Sequence, residues 1–182
     1  MILKKFNSPG GNEIIIRKAT LEDAESIIAY STLILKTFSD VVLTTPEEFH
    51  PTIEEQKNWI NSFNNSDTGF LAIAESNAKI VGIIHFETHK KKKASHTGEF
   101  ALAIHPDFHR QKIGEELLLQ LISFAKHNPK IEKIILNVGE HNSKAINLYK
   151  KLEFVTEGIN IKAVKQPDGK YTNNVQMALF SH

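Results

Sequence analysis

Apolar residues recur along this chain with two different periods, and the change from one to the other marks its elements. Glu13–Lys18 (EIIIRK), Gly69–Glu75 (GFLAIAE), Lys79–His89 (KIVGIIHFETH), Glu99–Ile104, Lys133–Val138 (KIILNV), Phe154–Val164 and Lys170–Phe180 are short β-rich runs bounded by turn residues, and each reads as a strand. Four stretches follow the helical period instead. Ile27, Ile28, Ser31 and Leu35 mark a first helix starting near Leu21, and a second runs through Trp59 to about Asn64. A third carries Ile113, Leu117, Leu118, Leu121, Ile122 and Ala125 on one face; a fourth, Asn142–Leu152, carries Ala145, Leu148, Tyr149 and Leu152. Thr20 with Asp23, and Thr52 with Glu55, have capping-box spacing ahead of the first two helices.

The predicted order is β-α-α-β-β-β-α-β-α-β-β. The run of three strands and the closing hairpin around Gln166–Gly169 argue for an α+β fold with a mixed, largely antiparallel central sheet and helices on its faces. At 182 residues the chain suits one domain. Met1–Asn12 reads as a polar N-terminal arm or a small extra strand, and 13–182 as the single domain. Between the first two helices lies a long irregular connector, Thr37–Pro51, of the kind that usually carries function.

One stretch, Gly98–Lys126, combines a strand, a break at His105-Pro106-Asp107, a basic turn (His109, Arg110, Gln111, Lys112) and a helix N-terminus. The first turn of a helix has N–H groups without intrahelical partners and a positive dipole end, so this order can seat a phosphate or diphosphate. Gly114 lets a ligand approach the backbone there. The other reading is an ordinary strand–helix connection with solvated cations.

Composition narrows the chemistry. Lys and Arg total 22 against 21 Asp and Glu, a net charge of +1, so no bulk field recruits nucleic acid or an anionic membrane. The Lys90–Lys93 run is short of aromatic neighbours and reads as solvated charge. Cysteine is absent, which excludes disulfides, thiolate metal sites and a cysteine nucleophile. No segment has the roughly 20 apolar residues of a membrane span, no signal peptide is visible, and a cytoplasmic location is expected. The pairs His85/His89 and His105/His109 are each four apart but sit in strand or turn context, where positions four apart lie about 13 Å from one another. No metal site is expected.

Two segments carry a resemblance. PDFHRQKIGEELL, residues 106–118, is similar to the acyl-CoA diphosphate loop of the GNAT superfamily of N-acetyltransferases, with His109 where the family has Arg or Gln, Lys112 at its first glycine and Gly114 at its second. Asn142–Phe154 resembles the family pattern N-x-x-A-x-x-L-Y-x-K-x-G-F, with Glu153 in place of the glycine. The ending, Asp168-Gly-Lys-Tyr171 and then Met177, resembles the branch of ribosomal-protein N-terminal acetyltransferases, which has Asp where this chain has Asn173.

The resemblance implies a GNAT-like acyl-CoA N-acyltransferase fold and transfer of acetyl from acetyl-CoA to a primary amine by direct attack in a ternary complex. The acceptor is a small-molecule amine or a protein N-terminus, entering beside the Thr37–Pro51 connector and the 158–175 hairpin. It implies that acetyl-CoA is held by Leu102, Ala103 and Ile104 along the strand, by His109, Arg110, Gln111, Lys112, Ile113, Gly114 and Glu115 at the loop, and by Asn142, Ala145 and Tyr149. No metal, nucleic acid or membrane partner is implied; a homodimer is compatible with it. Acetyl transfer needs a donor toward the developing oxyanion, a proton acceptor for the amine and a donor toward the leaving thiolate. Tyr149 is the expected donor to the thiolate, against the alternative of a packing tyrosine. Glu99 is the expected base, against the alternative of an edge carboxylate paired with a lysine; Glu87 and His85 are second choices, against the alternative of an ordinary strand face. A catalytically weak, CoA-binding regulatory module of the same fold is the competing function, favoured by Lys112 and Glu153 at family glycines.

Overall fold

The structure is a computed structural model and describes residues 1–39 and 41–181. Its strands are β1 (Ile2–Asn7), β2 (Glu13–Lys18), β3 (Phe70–Ser76), β4 (Lys79–Thr88), β5 (Thr97–Ile104), β6 (Lys133–Gly139), β7 (Val155–Lys165) and β8 (Tyr171–Phe180). Its helices are α1 (Ala24–Thr37), α2 (Ile53–Asn64), α3 (Ile113–Lys126) and α4 (Ser143–Lys151). The strands form one sheet in the order β1-β2-β3-β4-β5-β6-β8-β7. Each neighbouring pair is antiparallel except β5 with β6, so the expected mixed, largely antiparallel sheet is what forms.

The N-terminal lead-in is a strand, β1, paired with β2 around the Ser8–Asn12 turn. The Thr20/Asp23 cap opens a 3-10 turn at Leu21–Asp23, and α-helical geometry starts at Ala24. The reason is Asp23. Its carboxylate reaches back to the Thr20 N–H at 2.7 Å and takes a two-pronged pair from Arg17 on β2, at 2.7 Å for each nitrogen. Thr52 and Glu55 form the reciprocal cap of α2, with Thr52 N–H on the Glu55 carboxylate at 2.8 Å and Glu55 N–H on the Thr52 hydroxyl at 3.2 Å.

Apolar side chains cover the sheet on both sides. Ile113, Leu117, Leu118, Leu121 and Ala125 of α3 pack with Phe86, Ile134 and Met177 on one face. Ile27, Tyr30 and Ile34 of α1 and Ile60 and Phe63 of α2 pack with Leu71, Ile73 and Ile83 on the other. Each fully buried leucine of α3 contributes roughly 2–3 kcal/mol of transfer free energy. That burial fixes the helix start, and with it the turn between β5 and α3.

Candidate active site

The sheet is opened at its centre. β5 and β6 pair from Thr97 to Glu99 against Lys133 to Ile135; beyond that β6 continues beside β8, and β5 stays with β4. Main-chain direction along β5 follows from its other neighbour. The His89 N–H bonds to the Thr97 carbonyl and the His105 N–H to the Val81 carbonyl, both at 2.9 Å. In an antiparallel ladder the alternation then gives the main-chain groups of Glu99, Ala101 and Ala103 to β4 and turns those of Leu102 and Ile104 toward the gap. The Ala103 carbonyl also accepts from the Tyr30 hydroxyl at 3.0 Å. So of the three β5 residues expected along the cofactor, Leu102 and Ile104 present main chain to the gap and Ala103 does not.

The basic turn ends at the mouth of this gap. Arg110 and Lys112 are both in the left-handed region, with φ of 60° and 62°. Lys112 is the N-cap of α3, and the first main-chain bond of the helix runs from Glu116 N–H to its carbonyl at 3.0 Å. The N–H groups from Arg110 through Glu115 have no acceptor among the described residues. They form a run of donors at a positive dipole end, the arrangement that binds anions. Lys112 adopts the conformation glycine favours, which gives a physical reason for glycine there in the family pattern. Gly114 is different. A Cβ built on it would rest 3.6 Å from Ile104 Cγ1 and from Leu102 Cδ2, an ordinary contact, so its side points toward β5.

His109 faces β5 as well. Its Nε2 lies 3.1 Å from the Ile104 carbonyl, and its ring stacks on Phe38 at 5.7 Å between centroids and 20° between planes. Gln111 is tied in the opposite direction. Its Oε1 accepts from the Ser8 hydroxyl at 2.7 Å and from Asn12 Nδ2 at 3.0 Å. Glu115, in the first turn of α3, pairs with Lys151 of α4 at 2.7 Å.

Tyr149 stands over β5 where the strands part. Its ring meets Phe100 and Phe154 at 5.8 Å each, and burial pushes its hydroxyl pKa up to about 12. The phenol is therefore neutral at physiological pH and keeps its proton to give. α4 is held in place by both ends. Asn142 caps it, its side-chain oxygen accepting from Ala145 N–H at 3.2 Å. At the other end Glu153 N–H bonds to the Lys150 carbonyl and Phe154 N–H to the Tyr149 carbonyl, both at 3.0 Å. That is a Schellman ending, and Glu153 occupies its left-handed position with φ of 68°. Both departures from family glycines therefore keep the glycine-like backbone.

Glu99 is exposed and projects to the other side of the sheet, since its neighbour Phe100 packs with Tyr149 and side chains alternate along a strand. Glu87 lies directly across from it on β4. His85 is on that same side but enclosed, with edge-on contacts to Trp59 at 5.4 Å and Phe63 at 5.9 Å. Burial lowers its pKa below the ordinary 6.5. Its Nδ1 has no hydrogen-bond partner among the described residues.

A cleft of about 910 Å³ opens between the connector and the C-terminal hairpin, lined among others by Lys36, Pro46, Glu47, His141, Asp168 and Tyr171. This is the side on which the acceptor was expected. Lys162 and Lys165 lie over the Tyr171 ring at 5.1 and 5.8 Å. Lys36 and His141 carry no sequence signal for lining this cleft, because they come from separate segments, whereas Glu47 belongs to the Thr37–Pro51 connector. Asp40, within the connector, lies outside the described residues. Among the described residues no group of three or more His, Cys, Asp or Glu is gathered for a metal, and no helix is long and apolar enough to cross a membrane.

Comparison with known proteins agrees with this architecture. The chain is 23% identical over 167 residues to the L-amino acid N-acetyltransferase AaaT of Escherichia coli, covering 92% of this chain and 98% of that protein. A GNAT-family acetyltransferase from Streptococcus pneumoniae superposes with a TM-score of 0.86 at 26% identity, covering 92% of this chain and 99% of that one. The yncA protein of Salmonella typhimurium, solved with its cofactor acetyl-CoA, superposes with a TM-score of 0.81 at 16% identity, over 93% and 94% of the two chains. The sequence model of the acetyltransferase (GNAT) family matches residues 34–154, and the chain belongs to that family.

Proposed function

We propose that this acetyltransferase moves the acetyl group of acetyl-CoA onto the primary amine of a small acceptor or a protein N-terminus. The observation that carries the reading is the run of unpartnered N–H groups from Arg110 to Glu115, set beside the strand gap that Leu102 and Ile104 face. A diphosphate on that run satisfies the orphan donors, and Arg110 and Lys112 add positive charge. An extended arm leaving it along β5 finds the main-chain groups of Leu102 and the N–H of Ile104, whose carbonyl already faces His109 Nε2, a strand-addition geometry. Acetyl-CoA supplies the activated acyl group as a thioester. Everything else is the work of this chain.

Tyr149 is placed at the far end of that path, beyond Leu102 and against Phe100, and its O–H serves as donor to the departing sulfur. The acceptor nitrogen forms the new bond to the acyl carbon as the carbon–sulfur bond breaks. The nitrogen's proton passes toward Glu99, directly or through water, on the α1/α2 side of the sheet. The two groups thus work from opposite faces, joined through the gap. The cleft between connector and hairpin receives the body of the acceptor.

The relatives' names support an amine acceptor, and the amino-acid acetyltransferase is aligned over 98% of its length. The test is a panel of amino acids, polyamines and N-terminal peptides mixed with acetyl-CoA, read by free thiol and by the mass of the acceptor. Thiol release matched by an added acetyl mass is expected for at least one class. Tight binding of CoA with no acceptor turned over would favour the regulatory module instead.

A further inference from the structure

The basic turn has a support that its own sequence does not announce. Gln111 sits between Arg110 and Lys112, two non-glycine residues at positive φ. Each such residue costs about 1–2 kcal/mol relative to an ordinary backbone conformation. A loop with two of them persists only when its surroundings over-determine it. Gln111 spends its amide on that task. Its oxygen takes the Ser8 hydroxyl at 2.7 Å and the Asn12 amide at 3.0 Å, and its nitrogen donates to the Asp107 carbonyl at 3.2 Å.

The other side of the contact is stiff. Ser8 is buried, its N–H bonds to the Asn12 carbonyl at 2.8 Å, and its hydroxyl accepts the Asn12 N–H at 3.2 Å. A Cβ on Gly10 would stand only 3.0 Å from the Gln111 oxygen, so the turn lies directly against that side chain. The same hairpin braces the helix beyond the loop through Lys4 and Glu116 at 2.8 Å.

We propose that the Ser8–Asn12 turn is a strut for the cofactor loop and that Gln111 is its positioning residue. The strut holds the strained 110–112 backbone in the shape that aims the N–H run at an anion, a role that glycine at 112 would lessen by leaving Arg110 alone at positive φ. The inference rests on the reading of that loop as the acetyl-CoA diphosphate seat, but it has its own readout.

Two measurements on the full chain test it. The first is 15N relaxation of the ligand-free protein. In wild type, residues 110–112 are expected to have order parameters near about 0.85, and in Gln111→Ala below about 0.6. The second is CoA titration calorimetry. Gln111→Ala is expected to weaken binding about tenfold. In a Lys112→Gly background, where glycine takes φ near +60° without strain and the lost charge is common to both proteins, Gln111→Ala is expected to weaken binding only about threefold or less.

Should Gln111→Ala fold poorly, Ser8→Ala with Asn12→Ala leaves the loop sequence intact and is expected to behave the same way. Unchanged order parameters in these variants, or a Gln111→Ala loss as large in the Lys112→Gly background as in wild type, overturn the strut. Reduced order with a wild-type protein that binds no CoA upholds the strut and overturns the cofactor seat.

Discussion

Tyr149 shows how much a single side chain depends on its neighbours. Between Phe100 and Phe154 its pKa is pushed up to about 12, so it holds its proton across the physiological pH range, as the proposed donor to a leaving thiolate must. Tyr149→Phe is expected to lower kcat by about a hundredfold, within the range of lost general-acid catalysis, and to change KM for acetyl-CoA less than about twofold. Steady-state kinetics on the best acceptor checks both numbers. Glu153 makes a different kind of claim. It ends α4 in a conformation suited to glycine, so Glu153→Gly is expected to raise stability by about 0.5–1 kcal/mol, read as a higher midpoint in urea with an unchanged slope. A fall in stability would mean that the Glu153 side chain holds something its backbone does not reveal.

Elements were legible where their cause is local. Periodicity and the Thr20/Asp23 and Thr52/Glu55 caps located the helices to within a few residues, and the turn residues located the hairpins. What local pattern could not give was the partner of a polar group. Nothing near Gln111 points to Ser8, and nothing near Arg17 says that it will join Asp23 and Glu75. Nor does alternation alone say that Glu99 and Tyr149 end on opposite faces; that needs α4 and β5 placed in space.

His85 is a further case at this scale. The pattern of β4 admits it as a base, whereas α2 closes over it with Trp59 and Phe63. Burial depresses its folded pKa below 6.5, so the unfolded chain binds its proton first as pH falls. Its contribution is therefore complete above about pH 6.5 and declines below that value. Unfolding measured from pH 7.5 to 5 is expected to show stability falling with pH in wild type and a flatter profile in His85→Phe. Equal slopes would place the effect on other groups.

Across the whole molecule, two packed faces are built on one sheet, and the proposed cofactor path runs through the opening between β5 and β6. The parallel pairing of those strands stops after Glu99 and Ile135, which leaves Leu102 and Ile104 without a strand neighbour on that side. The loop before α3 then places its donors at one end of the opening, and α4 places Tyr149 beyond the other. Order of elements predicted this sheet, but not the divergence at its middle, since strand periodicity carries no information about where a neighbour leaves. In the proposed binding mode, main-chain donors from Arg110 to Glu115 grip the diphosphate of the acetyl donor. Titrating CoA into the 15N-labelled protein tests this grip. The amide resonances of residues 110–115 are expected to shift most and to saturate together with those of Leu102 and Ile104. Saturable binding that leaves these amides unmoved while others shift would contradict it.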